Sequence, residues 1–150
     1  MKNLIIIILS FFFSFQLNAQ QKKLKSTTKK SSLSYMKNYN GKYPYEVKLI
    51  EKKSALRTRL QKLLGKEKFD FLESHFDVQS PMVIKNNVLI AHGCMQHNCD
   101  GIFFNIFYDF KKDIINVGIK NEEKEIEILA EKETFLTEAV SWKTDPLLDF

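Results

Sequence analysis

The segment Cys94-Met95-Gln96-His97-Asn98-Cys99 holds both cysteines of a 150-residue chain, with one histidine between them and a second, His92, just upstream. Three chemistries fit these residue types. If oxidised, the cysteines close a small ring that carries an imidazole on a stiff loop, a device suited to recognition. If reduced, His92, Cys94, His97 and Cys99 offer four soft or borderline ligands of the kind zinc takes. Their spacing matches no zinc module, however, and His92 and Cys94 fall on one face of a strand. A Cys–His nucleophile needs a free thiolate and a third group to orient the base, and no such third group is evident. There is no Cys-x-x-Cys redox motif.

The compartment decides among these readings. Lys2 is followed by an apolar run from Leu4 to Leu17, and Asn18-Ala19 offers a small residue before Gln20. That order reads as a secretory signal peptide, residues 1–19, cleaved near Ala19, because the run is short for a membrane span and polar sequence follows it. Export into an oxidising compartment favours a Cys94–Cys99 disulfide over thiolate ligands, so no metal or other cofactor is expected. Closing so small a ring removes unfolded-chain freedom worth about 2 kcal/mol. Its local effect is larger, since Met95, Gln96, His97 and Asn98 are left with few conformations. Such pre-ordering lowers the entropy lost on binding.

Charge divides unevenly along the chain. Residues 20–42 carry seven lysines (22, 23, 25, 29, 30, 37 and 42) and no acid, while all 18 acidic residues lie beyond them. The stretch 20–42 reads as a basic, flexible leader, rich in Lys, Ser and Thr; the folded part is mildly acidic. An exported chain without a stacked-aromatic motif is a poor nucleic-acid binder. No segment beyond the signal is long enough to span a bilayer.

The elements that hold the loop follow from periodicity. A single domain is expected over residues 43–150. Pro44 suits the first turn of a helix, and Leu49, Leu56, Leu60 and Leu63 share one face of it. Gly65 ends that helix, and a shorter one follows with Phe69, Leu72 and Phe76 inward. Beyond Ser80-Pro81 the pattern turns to strands. Residues 82–84 and 88–91 flank a Lys85-Asn86-Asn87 turn as a hairpin. Ile102 to Phe110 is apolar on both faces, as a central strand must be; Ile102, Phe104, Ile106, Tyr108 and Phe110 line one side, Phe103 and Phe107 the other. Strands at 114–119 and 125–128 follow, the latter with isoleucines inward and glutamates in water. The segment 134–150 leads to Trp142, expected in the core, through a short helix or strand. His75 reads as a surface or packing residue, and Glu122, Glu123, Glu125 and Glu127 as a solvated edge. The fold class is α+β: N-terminal helices, then an antiparallel sheet of about five strands.

With these elements in place, the loop resembles the signature Cys-Lys-Pro-His-Asp-Cys, or its Asn variant, of the inhibitor of vertebrate lysozyme (Ivy) family. The helix, hairpin, loop and long-strand order around it is similar over residues 43–145. The resemblance implies a periplasmic or secreted protein that is not an enzyme and binds lysozyme or a related muramidase. The disulfide-bridged loop would enter the active-site cleft of a C-type lysozyme. There the family histidine, here His97, hydrogen-bonds the catalytic carboxylate pair. Cys94 and Cys99 would be the clamp, and Asn98 stands where the family has Asp or Asn. Met95 and Gln96 depart from Lys-Pro, removing one cation and the proline's stiffness. A self-protection binder of another cell-wall hydrolase would share the fold and loop but not the target. A homodimer is among the assemblies the resemblance allows.

Overall fold

The computed structural model describes residues 32–145. The expected signal segment, most of the leader lysines and residues 146–150 lie outside that range. The fold starts earlier than residue 43. A 3-10 helix at Ser34–Tyr39 follows Leu33, and both Leu33 and Met36 are fully buried in the main core. The leader as expected, 20–42, is therefore corrected at its C-terminal end. Two apolar side chains three residues apart anchor a strap, and its backbone continues the tie: Gly41 N–H donates to Met82 O (2.7 Å) and Met82 N–H to Lys42 O (2.8 Å).

The helix expected from Pro44 begins only at Ala55. Residues 44–50 are turns, with Lys48 at φ 52°, a value that interrupts a right-handed helix. Leu49 still reaches the core from a turn. The long helix α1, Ala55–His75, starts where Ser54 caps it: the Ser54 Oγ accepts from Arg57 N–H at 3.0 Å. Gly65 breaks it into two segments at φ 71°, ψ 177°, the junction the sequence anticipates. Leu56, Leu60 and Leu64 are buried before the break, Phe69 and Leu72 after it.

Six antiparallel strands make one sheet: β1 (Val78–Gln79), β2 (Val83–Lys85), β3 (Val88–Cys94), β4 (Ile102–Asp109), β5 (Ile114–Asn121) and β6 (Glu127–Ala130). The order is β1-β3-β4-β5-β6, with β2 sharing the same edge of β3 as β1. The β2–β3 hairpin turns through Asn86 and Asn87, both at positive φ, as a two-residue hairpin requires. The last strand lies two residues later than expected. Ile126 and Ile128 nevertheless pack inward, and Glu127 pairs with Lys68 at the surface.

Alternation along the central strands builds two cores, one on each face. Phe104, Ile106, Tyr108, Ile115 and Val117 pack with α1 and the strap. Phe107 and Ile114 pack with the C-terminal helix α2, Thr137–Thr144, through Leu136, Ala139 and Trp142. Trp142 is 1% exposed, a core residue as expected, and its indole packs over Gly118, which leaves room for it. A Cβ at Gly118 would fall 1.9 Å from the indole.

The end of the sheet away from the β3–β4 loop is tied by charge. Arg59, 9% exposed, donates to Asp113 Oδ1 (2.6 Å), Asp113 O (3.0 Å) and both Glu131 oxygens (3.0 and 2.5 Å). Tyr108 OH donates to Asp113 Oδ1 (2.9 Å) and accepts from Leu33 N–H (3.2 Å). Helix, sheet and strap thus meet in one hydrogen-bonded cluster. His75 is a packing residue, its Nδ1 2.8 Å from Phe71 O and its ring 4.6 Å from that of Phe71.

Candidate functional site

Register fixes where the cysteine loop stands. Cys94, the last residue of β3, pairs with Phe103 near the start of β4, so the chain between them projects from the end of the two central strands. A disulfide joins Cys94 to Cys99 with Cα atoms 5.0 Å apart. Cys94 is buried and Cys99 exposed, so the bridge runs from the sheet to the loop's outer limb.

The loop satisfies its own backbone. Met95 N–H donates to Ile102 O (3.0 Å), extending the ladder by one rung beyond β3, and Asn98 N–H donates to Met95 O (3.1 Å). That bond closes a β-turn over Gln96 and His97. Asn98 O then accepts from both Gly101 N–H (3.2 Å) and Ile102 N–H (2.9 Å), bringing the chain back to β4. His97 occupies the third turn position at φ 64°, a left-handed conformation that glycine or asparagine adopts more readily. Strain of this kind persists only where surrounding structure enforces it. Here the enforcement is the disulfide and four backbone hydrogen bonds.

Side chains sort by direction. Gln96 and His97 are exposed at the turn. Asn98 is half-buried; its carboxamide lies against Gly101, where a Cβ would come within 2.5 Å of Oδ1. Met95 is half-buried and packs on the α1-face core, which gives a physical reason for an apolar residue at that position. The loop therefore presents two side chains outward and spends two inward on its own order.

Three further residues brace the loop and escape the sequence reading. Asp77 N–H donates to Cys94 O (3.1 Å), Glu122 N–H donates to Gly101 O (2.7 Å), and Gly101 admits the Asn98 carboxamide. Glu122 sits at φ 53° in the β5–β6 turn, so a turn distant in sequence props the loop's return limb. Only Gly101, directly after Asp100, carries a local turn signal.

His92 does not join His97. It lies on β3 opposite Asn105 of β4, with Nδ1 3.1 Å from the Asn105 carboxamide, and burial lowers its pKa from the ordinary histidine value. Both sulfurs are spent in the disulfide, so the set His92, Cys94, His97 and Cys99 has no thiolate to offer a metal and no nucleophile. Among the described residues no group of three His, Cys, Asp or Glu side chains is placed to hold a metal ion, and no helix is long and apolar enough to cross a membrane.

No curated protein and no solved structure matches the chain. A protein-family model does: the one described as "Inhibitor of vertebrate lysozyme (Ivy)" covers residues 55–147, from the start of α1 through the loop and α2. With the antiparallel sheet and the disulfide, that match over more than half its length places this chain in the Ivy family of lysozyme inhibitors.

Proposed function

We propose that this chain is an exported inhibitor of C-type lysozyme that acts by inserting the Cys94–Cys99 loop, with His97 foremost, into the enzyme's catalytic cleft. The observation that carries the reading is the loop itself, a disulfide-stapled, self-bonded protrusion whose outward side chains are Gln96 and His97. Glycosidic cleavage relies on two carboxyl groups flanking the scissile bond. An imidazole can donate from either nitrogen and becomes cationic among acids, so His97 suits a pocket of that composition. The protein does no chemistry of its own; it occupies the site that substrate needs. Pre-ordering of the turn reduces the entropy lost on insertion. The leading segment 1–19 would supply export, and the disulfide fits an oxidising destination.

A purified-protein inhibition assay against C-type, G-type and bacterial muramidases tests the reading. Inhibition of the C-type enzyme, weakened in His97→Ala, is the expected result; absence of inhibition of any muramidase overturns it. One observation favours a second target class. Met95 and Gln96 replace Lys-Pro, and Met95 is turned into the core, so the loop lacks the permanent cation that a lysine would bring to an acidic cleft. Inhibition of only a bacterial wall hydrolase would identify a self-protection binder.

A further inference from the structure

The α2 face of the sheet holds two buried asparagines: Asn116, whose carboxamide is spent on Thr134 O (3.0 Å) and Leu136 N–H (2.8 Å), and Asn105. Asn105 is 2% exposed and stands between His92 on β3 and Trp142 on α2. Its neighbours fix how its carboxamide must point. One end lies 2.5 Å from Trp142 Nε1, which can only donate, so that end is the oxygen. The other end lies 3.2 Å from Phe104 O, which can only accept, so that end is the nitrogen; it is also 3.1 Å from His92 Nδ1. Nδ1 must then accept, and the neutral ring carries its proton on Nε2.

We infer that His92, Asn105 and Trp142 form a proton-responsive latch that seats α2 on the sheet. Asn105 has one oxygen and two claimants. With His92 neutral, the oxygen serves Trp142. A proton on Nδ1 turns the imidazole into a donor facing an NH2 group, and the contact is restored only if the carboxamide turns its oxygen to His92. That turn strips the indole N–H of its acceptor and leaves a buried donor facing a donor, the costly arrangement. Trp142 is the side chain that rests on Gly118 and centres α2's apolar contact, so its anchor weakens as His92 protonates.

The surroundings of His92 leave Asn105 as the partner that answers. From β4 it meets Asn105 and the Phe103 ring, 6.3 Å away; just after β1, Ser80 contributes only a backbone N–H to His92 O. Among the described residues no carboxylate pairs with it. Burial lowers the His92 pKa in the folded state. Its contribution is therefore fully present above the unfolded histidine value, about 6.5, and is lost as pH falls from there through the folded value.

Trp142 is the chain's one tryptophan, so it reports alone. The test is a pH titration of the intact protein by 1H–15N NMR, following the His92 ring and the single indole N–H together. The expected result is an indole resonance that moves with the His92 midpoint, below 6.5, accompanied by a red shift of fluorescence, both lost in His92→Gln. An indole signal that stays fixed while His92 titrates overturns the latch, as does one whose midpoint survives in His92→Gln. The two-probe titration of the unaltered protein decides the matter alone if that variant does not fold.

Discussion

The two ends of the sheet are built on opposite plans. At the β4–β5 end, long side chains from distant parts of the chain converge: Arg59 from α1, Asp113 from the turn, Glu131 after β6, Tyr108 from β4, with the strap's Leu33 N–H joining. At the β3–β4 end the backbone does the work through a disulfide, a β-turn and two bracing N–H groups from Asp77 and Glu122. At the first end Arg59, Asp113, Glu131 and Tyr108 are committed to one another. An end ordered by its backbone keeps Gln96 and His97 free to point outward. The contrast teaches how a small domain can hold an ordered loop without committing that loop's outward side chains to the fold.

The sharpest way to break the contrast is at Arg59. Arg59→Ala leaves Asp113 and Glu131 facing each other at the edge of the core with their shared cation gone. A loss of order 3 kcal/mol in unfolding free energy by urea denaturation is expected. Inhibition per folded molecule should be unchanged, because no bond of the cluster reaches the loop. A large rise in inhibition constant without a stability loss would reverse the assignment of roles. His97→Ala should give the mirror image. If the loop docks as proposed, removing its central side chain should cost about 2 kcal/mol of binding, roughly thirtyfold in affinity. Stability should stay within about 0.5 kcal/mol, as for other exposed substitutions. If instead the two quantities fell together, the histidine would belong to the fold.

Cys94→Ser together with Cys99→Ser has a smaller expected effect, because the ring is short. A stability loss of no more than about 2 kcal/mol is expected. The four residues between the cysteines stay tied by Met95–Ile102 and Asn98–Ile102 backbone bonds. Affinity should fall through faster dissociation, measured by surface binding kinetics, since the open loop must be re-ordered in the cleft. Collapse of the domain would show that the backbone bonds depend on the bridge.

Legibility in the sequence follows the same division. Strand β4 announces both of its faces through strict alternation of large apolar residues, and the two cores are where Phe104, Ile106 and Tyr108 on one side and Phe107 on the other put them. The loop was readable because its chemistry is local, two cysteines around a histidine. What stayed hidden is long-range or too short to have a period. Leu33 and Met36 are two apolar residues in a run of Lys and Ser, with no repeat to mark them. Strand β1 is two residues long. Asp77 and Glu122 brace the loop through backbone N–H groups, which every residue but proline has, so residue type carries no sign of it. The false start at Pro44 has the opposite cause: Leu49 has the right spacing to Leu56, but Lys48 at positive φ breaks the helix that spacing suggests.

The smallest expected effect separates the turn from its side chain. His97 holds φ 64°, where a residue with a Cβ is strained and glycine is not. His97→Gly therefore removes the imidazole and the strain together, whereas His97→Ala removes only the imidazole. Relative to His97→Ala, the glycine variant should be more stable by up to about 1 kcal/mol, less whatever glycine adds to the freedom of the unfolded chain. Affinity should be as poor as in His97→Ala or poorer, because the turn gains other conformations. That order, glycine above alanine in stability and not above it in binding, is what a loop shaped to hold a side chain in place requires. Should glycine fall clearly below alanine in stability, the positive φ would not be a strain that the loop enforces, and the rigidity ascribed to this end of the sheet would rest on the disulfide alone.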